Sequence, residues 1–260
     1  EIVTLHSNIK TQYSFKIAPT ILEMCIKLDD YIFSVEPISF QDGIEFSKKI
    51  ETTINSDIKL NYNEQAEIIR IWNLDDLKRK WEKFRDTDLP QIKLYKQVKA
   101  KAPELAQDIF DTGNLEYSST KELAKVLDKN LFYHVMIRVS AGDKLQKYTI
   151  IQPSQLFPKL KLITNVEKIK TKETDMQILY KLHGILDRSN LSEKELKKQY
   201  DEYYKPMIKY NYTEFDYIYD INYTIEKATG LLVNAHVSLC EKIKNNFDAI
   251  TEFIIRRVEL

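Results

Sequence analysis

The residues best equipped for chemistry are four histidines (His6, His134, His183 and His236) and two cysteines (Cys25 and Cys240). A zinc site needs about four nitrogen or sulfur ligands close together. No histidine here has a second histidine or cysteine at ligand spacing. His134, His183 and His236 fall in predicted strands and read as ordinary strand residues. Cys240 follows His236 closely, but in a strand and turn that spacing makes no thiolate–imidazole dyad. The glycine-flanked G-x-S-x-G elbow of serine hydrolases does not occur. The distant cysteines read as two buried thiols, or as one long-range disulfide in an oxidising compartment. No catalytic residue, metal ligand or cofactor is expected.

Carboxylates offer a second chemistry. Glu214, Asp216 and Asp220 lie on one predicted strand face, where positions two apart are about 6.6–6.8 Å from one another. Such spacing could serve glycoside hydrolysis or a cation. A solvated strand face explains the same pattern and is the preferred reading. Asp29-Asp30 reads as a turn, and Asp75-Asp76 as acidic charge at a helix start. Lys159 to Lys172, and Lys194 with Lys197 and Lys198, read as solubilising surface, because no RNA-binding aromatic pattern interleaves them.

Tyrosine is the most unusual feature, with 16 residues against only 5 glycines. Scarce glycine disfavours phosphate-cradling loops and doubly wound nucleotide folds. Tyr200, Tyr203, Tyr204, Tyr210 and Tyr212 precede a strand that carries Tyr217, Tyr219 and Tyr223. Two readings stand: a core-facing stripe with hydroxyls at its rim, or an aromatic wall for a ligand or protein. On the second reading the binding residues are Tyr203, Tyr204, Tyr217, Tyr219 and Tyr223, and the partner is a protein or an apolar small ligand.

These residues sit on the stretch that organises the chain. From Phe215 to Ile225 the odd positions are aromatic or aliphatic and the even ones mostly polar, the mark of a strand with one buried face. Gly230 supplies a turn, and alternation resumes from Leu231 to Leu239, giving a long hairpin. Residues 1–72 read as strands, with Ile21–Leu28 and Tyr31–Ile38 parted at Asp29-Asp30, a turn at Gln41-Asp42-Gly43, and a hairpin from Ile58 to Ile71. Asn73 reads as the N-cap of a helix carrying Leu74, Leu77, Trp81 and Phe84 on one face. Helices follow near 91–99 and 104–111, with Gly113 as a stop. Capping boxes at Ser119–Glu122 and Ser192–Glu195 open two more. Leu131 to Val139 alternates as a strand, further strands follow to Leu186, and a last strand begins near Ile250.

The total is about eleven to thirteen strands and four or five helices. This predicts an α+β fold: a large curved antiparallel sheet, or two sheets, with helices grouped mid-chain. The expected organisation is one domain, or two lobes with residues 1–72 and 131–260 forming sheet and 73–130 a helical cover. Lysine plus arginine equals aspartate plus glutamate at 39 each, so net charge gives no reason to expect nucleic acid. No stretch approaches the ~20 apolar residues of a membrane span. The chain opens at Glu1, not methionine, which permits an upstream segment and export.

The strand Phe215–Ile225, the turn Ala228-Thr229-Gly230 and the return Leu231–Leu239 carry the pattern Y-x-I-x-x-x-T-G. This layout resembles the lipoprotein-carrier type of exported bacterial protein, in which a curved antiparallel sheet forms an open half-barrel closed by helices. The hairpin Ile58–Trp72 leading into a helix at Asn73 also fits. The long helical stretch departs from the pattern, and no functional residue carries over. The resemblance implies binding without catalysis, in a bacterial periplasm or at a cell surface. The alternative expectation is a structural or adaptor subunit of a bacterial assembly, with oligomerisation open. A carboxylate-dependent hydrolase ranks last.

Overall fold

The computed structural model describes residues 7–20, 22–141, 145–157 and 159–258. These form an α+β fold with eight α-helices and ten strands in two separate antiparallel sheets. The strands are fewer and the helices more numerous than sequence periodicity suggests. The chain divides into two compact units, residues 1–133 and 134–260. His6 lies outside the described residues.

The first unit holds a four-stranded sheet in sequential order, β1 (Asn8–Thr20), β2 (Glu23–Glu36), β3 (Asp57–Tyr62) and β4 (Ile68–Ile71). β2 is one continuous strand, so Asp29-Asp30 is not a turn. The register passes from Ser14↔Asp30 to Phe15↔Leu28, which leaves Asp29 as the extra residue of a bulge. Asp29 points to solvent and pairs with Lys16 at 3.0 Å. Met24, Ile26, Ile58, Leu60 and Tyr62 are buried on one side of the sheet.

Five helices of this unit follow the strands or connect them: α1 (Gln41–Thr53), α2 (Leu74–Thr87), α3 (Lys93–Lys101), α4 (Pro103–Glu116) and α5 (Thr120–Lys129). The predicted turn at Gln41-Asp42-Gly43 is the start of α1. Asn73 precedes α2, but its side chain makes no cap. It bridges to β3 instead, accepting from the Lys59 N–H at 3.0 Å and donating to the Asp57 carbonyl at 2.8 Å. Gly113 lies inside α4 and does not end it. A Cβ there would come within 2.2 Å of the Trp81 ring, so glycine admits the indole, whose N–H donates to Asn114 at 2.9 Å. The Ser119 cap is as expected, its hydroxyl accepting from the Glu122 N–H.

Residues 131–139 form a helix, α6 (Leu131–Ser140), and not the expected strand. Phe132 to Ile137 are all buried. A helix buried on every side shows no polar face, so period-two alternation in its sequence carries no information.

The second unit holds a six-stranded sheet whose strands are neighbours in sequence order: β5 (Lys147–Pro153), β6 (Lys161–Glu173), β7 (Gln177–Leu186), β8 (Phe215–Glu226), β9 (Leu232–Ile243) and β10 (Phe247–Arg256). The central hairpin β8–β9 forms as its alternation predicts, with Gly230 at φ +71° in the turn. The final strand begins slightly earlier than Ile250. Between β7 and β8 lie α7 (Glu193–Tyr203), capped by Ser192, and the short α8 (Lys205–Ile208). One face of the sheet is covered: Leu156, Phe157, Leu196 and Tyr200 pack with Leu162, Phe215 and Ile243.

Candidate functional site

The tyrosines of β8 stand on the covered face. Tyr219 is 1% exposed, and its hydroxyl lies 2.6 Å from Nε2 of His134 in α6. His134 is therefore a buried helical residue, not a strand histidine. Burial pushes the Tyr219 hydroxyl well above the usual tyrosine range. Gly184 on β7 faces Tyr219 across the ladder. A Cβ at Gly184 would come within 2.7 Å of Thr164 Cγ2 and of Tyr219 Cδ1, so this glycine makes room for the ring. Tyr223, also buried, stacks on Tyr180 at 5.3 Å between centroids, with the Lys168 ammonium 4.1 Å from the Tyr180 ring.

The three other candidate tyrosines are half-buried. Tyr217 accepts at its hydroxyl from Gln152 Nε2 at 2.6 Å and from Thr164 Oγ1 at 3.3 Å. Tyr204 donates to the Leu156 carbonyl and packs on Phe247 at 4.9 Å. The Tyr203 ring lies 6.0 Å from the Lys159 ammonium. The structure thus places Tyr204, Tyr217, Tyr219 and Tyr223 in packed or hydrogen-bonded positions rather than around one cleft.

A buried carboxylate that sequence reading passes over holds the cover in place. Glu241 on β9 accepts from Ser154 Oγ, from the Gln155 N–H at 2.8 Å and from the Leu156 N–H at 3.3 Å. Its charge is met by donors in the segment that carries Leu156 and Phe157 into the core. The only advance sign is a polar residue at an odd, inward position of β9. Two surface hollows, of about 560 and 450 Å³, are open to solvent. None of the five candidate tyrosines lines either one.

On the opposite face of the six-stranded sheet the side chains fall in rows fixed by register. Gly184 pairs with Tyr219, which sets Ile185 beside Ile218. Ile218 pairs with Cys240, and Cys240 with Ile250. Ile151 pairs with Ile163 at the other end of the sheet. Ile151, Ile185, Ile218 and Ile250 are 63%, 62%, 40% and 64% exposed. An apolar band of Ile250, Cys240, Ile218 and Ile185 therefore runs from β10 to β7; on β6 it meets Asn165, and Ile163 and Ile151 lie two residues further along.

Charged residues frame this band. On one side Asp216 meets Lys242 at 3.4 Å. On the other, Asp220 meets Lys181 at 3.0 Å and His183 Nδ1 at 2.7 Å. Glu214 lies 3.6 Å from Lys244. Glu214, Asp216 and Asp220 are thus each tied to basic side chains on neighbouring segments, in keeping with a solvated face. Among the described residues, no group of three or more His, Cys, Asp or Glu side chains is placed to hold a metal ion. Among the described residues, no helix is long and apolar enough to cross a membrane. Cys25 is exposed and Cys240 half-buried, both free, so neither the disulfide nor the pair of buried thiols is realised.

Comparison with family models, curated proteins and solved structures finds no match to this chain.

Proposed function

We propose that the protein is a non-enzymatic binding subunit, and that it meets a protein partner through the open face of its six-stranded sheet. The observation that carries this reading is the exposed isoleucine band between charged rows. An apolar strip rimmed by charge, here running from β10 to β7, is the pattern of a protein contact, with an apolar centre and a polar edge. The inward tyrosines support the same assignment. Their rings and hydroxyls are engaged by Gln152, His134, Leu156 and Tyr180, which leaves the other face free for contact.

The test is a paired capture. Wild-type protein and the Ile185→Arg/Ile218→Arg variant are immobilised and exposed to extract from the source cells, with thermal midpoints checked first. Partners retained by the wild type and lost by an equally stable variant support the reading. Identical sets from both proteins contradict it, as does an organic-extractable mass on the purified protein, which would favour an apolar-ligand carrier.

A further inference from the structure

The outer edge of β10 is unlike the other sheet edges. Among the described residues no strand pairs with it. β4 is only four residues long. β5 is short and ends at Pro153. β1 carries Lys10, Lys16 and Pro19, and its pairing is broken by a bulge. Such features block unwanted strand pairing. β10 has ten residues in unbroken register with β9 and contains no proline, glycine or lysine.

The hydrogen-bond parity of this edge is fixed. The Arg257 N–H donates to the Val233 carbonyl at 2.9 Å, in step with the Arg256↔Asn234 pair. Odd residues of β10 therefore bond to β9. Residues 248, 250, 252, 254 and 256 turn their N–H and C=O groups outward. Their side chains, Asp248, Ile250, Glu252, Ile254 and Arg256, are all exposed. Asp248, Glu252 and Arg256 make no ion pair in the chain among the described residues.

We propose that the partner at this edge is a second copy of the chain, with the two β10 strands paired antiparallel about a twofold axis at Glu252. Parity requires even residues to face even residues. One such register sets Asp248 against Arg256 of the second copy at both ends, with Ile250 against Ile254 between them. A shift by one hydrogen-bonded pair in either direction sets an isoleucine against Glu252 and breaks both ion pairs. The register centred on Ile254 also sets Glu252 against Arg256, but it pairs only residues 252–256, so the register at Glu252 is favoured because it pairs the whole strand. It supplies about ten backbone hydrogen bonds. It also places two Glu252 carboxylates opposite each other, a repulsion that holds the association below its limit. Two six-stranded sheets become one continuous sheet, and the isoleucine band runs on into the second copy. This inference concerns the edge and does not depend on the role proposed for the face.

Sedimentation velocity over a wide concentration range tests it. The wild type is expected to show a monomer–dimer equilibrium. Asp248→Arg is expected to weaken it by roughly fivefold or more, and adding Arg256→Asp to restore it. Glu252→Gln should tighten the dimer. Glu252→Pro removes an outward N–H without costing a bond to β9, and should abolish the dimer while the circular dichroism spectrum is kept. A wild type that stays monomeric throughout overturns the proposal. So does a dimer indifferent to the charge exchange, or one broken only by Ile185→Arg on the sheet face.

Discussion

The Tyr219 hydroxyl and Nε2 of His134 lie 2.6 Å apart and both residues are buried, so a polar contact inside the core joins the central strand of the six-stranded sheet to α6. Deleting one member removes that contact from a buried site. Tyr219→Phe is expected to lower unfolding free energy by about 1–3 kcal/mol. Urea denaturation checks this, and an unchanged midpoint would mean that the contact contributes nothing.

Gly184→Ala should destabilise by a different route. The added Cβ would meet Thr164 Cγ2 and the Tyr219 ring at 2.7 Å, closer than real carbon contacts come. Overpacking of this kind costs about 1–3 kcal/mol. Shortening the threonine, in Gly184→Ala/Thr164→Ser, is expected to recover part of the loss in thermal denaturation. Equal midpoints for the single and double variants would show that the clash lies with the tyrosine alone.

Glu241 is the acceptor for three donors of the 154–156 segment. Glu241→Ala strands those donors and should cost about 3 kcal/mol. Glu241→Gln keeps one acceptor oxygen and should cost less. Hydrogen exchange at the Gln155 and Leu156 amides is the local readout, and protection is expected to fall further in the alanine variant than in the glutamine variant.

Burial raises the hydroxyl pKa values of Tyr31, Tyr117, Tyr133 and Tyr219 in the folded protein. The unfolded chain, with ordinary tyrosines near pH 10, loses these protons first. Stability from this source is therefore complete below about pH 10 and declines as pH rises further. Ultraviolet titration of the 16 tyrosines should show a class that ionises only together with loss of near-ultraviolet circular dichroism. A single smooth titration in a folded protein would contradict the buried placement.

Much of the fold is legible where one local rule dominates. Strict alternation from Phe215 to Ile225, with Gly230 beyond it, marks the β8–β9 hairpin because one face is buried and the other wet. Ser119 and Ser192 mark α5 and α7 because each hydroxyl takes up an otherwise unmet helix N–H. α6 is hidden because burial on all sides erases its helical period. α1 is hidden because it contains no fully buried residue and opens on Gln-Asp-Gly, a turn-like run. Asn73 has the right type for a cap, but Lys59 and Asp57 on β3 compete for its side chain and win.

The candidate site shows the same division. Alternation puts Tyr217, Tyr219 and Tyr223 on one strand face, but says nothing of what covers that face. Leu156, Phe157 and His134 arrive from distant parts of the chain. The isoleucine band is harder still to read, because Ile218 looks like a lone apolar residue on a polar face. It joins Ile185 and Ile250 only through the registers of three strand pairs.

The most direct test of the open sheet face as the contact surface is site-specific photo-crosslinking in cells. A photoreactive residue replaces Ile218 at the centre of the band, and in a separate variant Lys194 on the polar surface of α7. Discrete adducts are expected from position 218, absent from position 194, and lost when Ile185→Arg is added. Adducts of equal yield and pattern at both positions, or none at position 218, would contradict the assignment of this face.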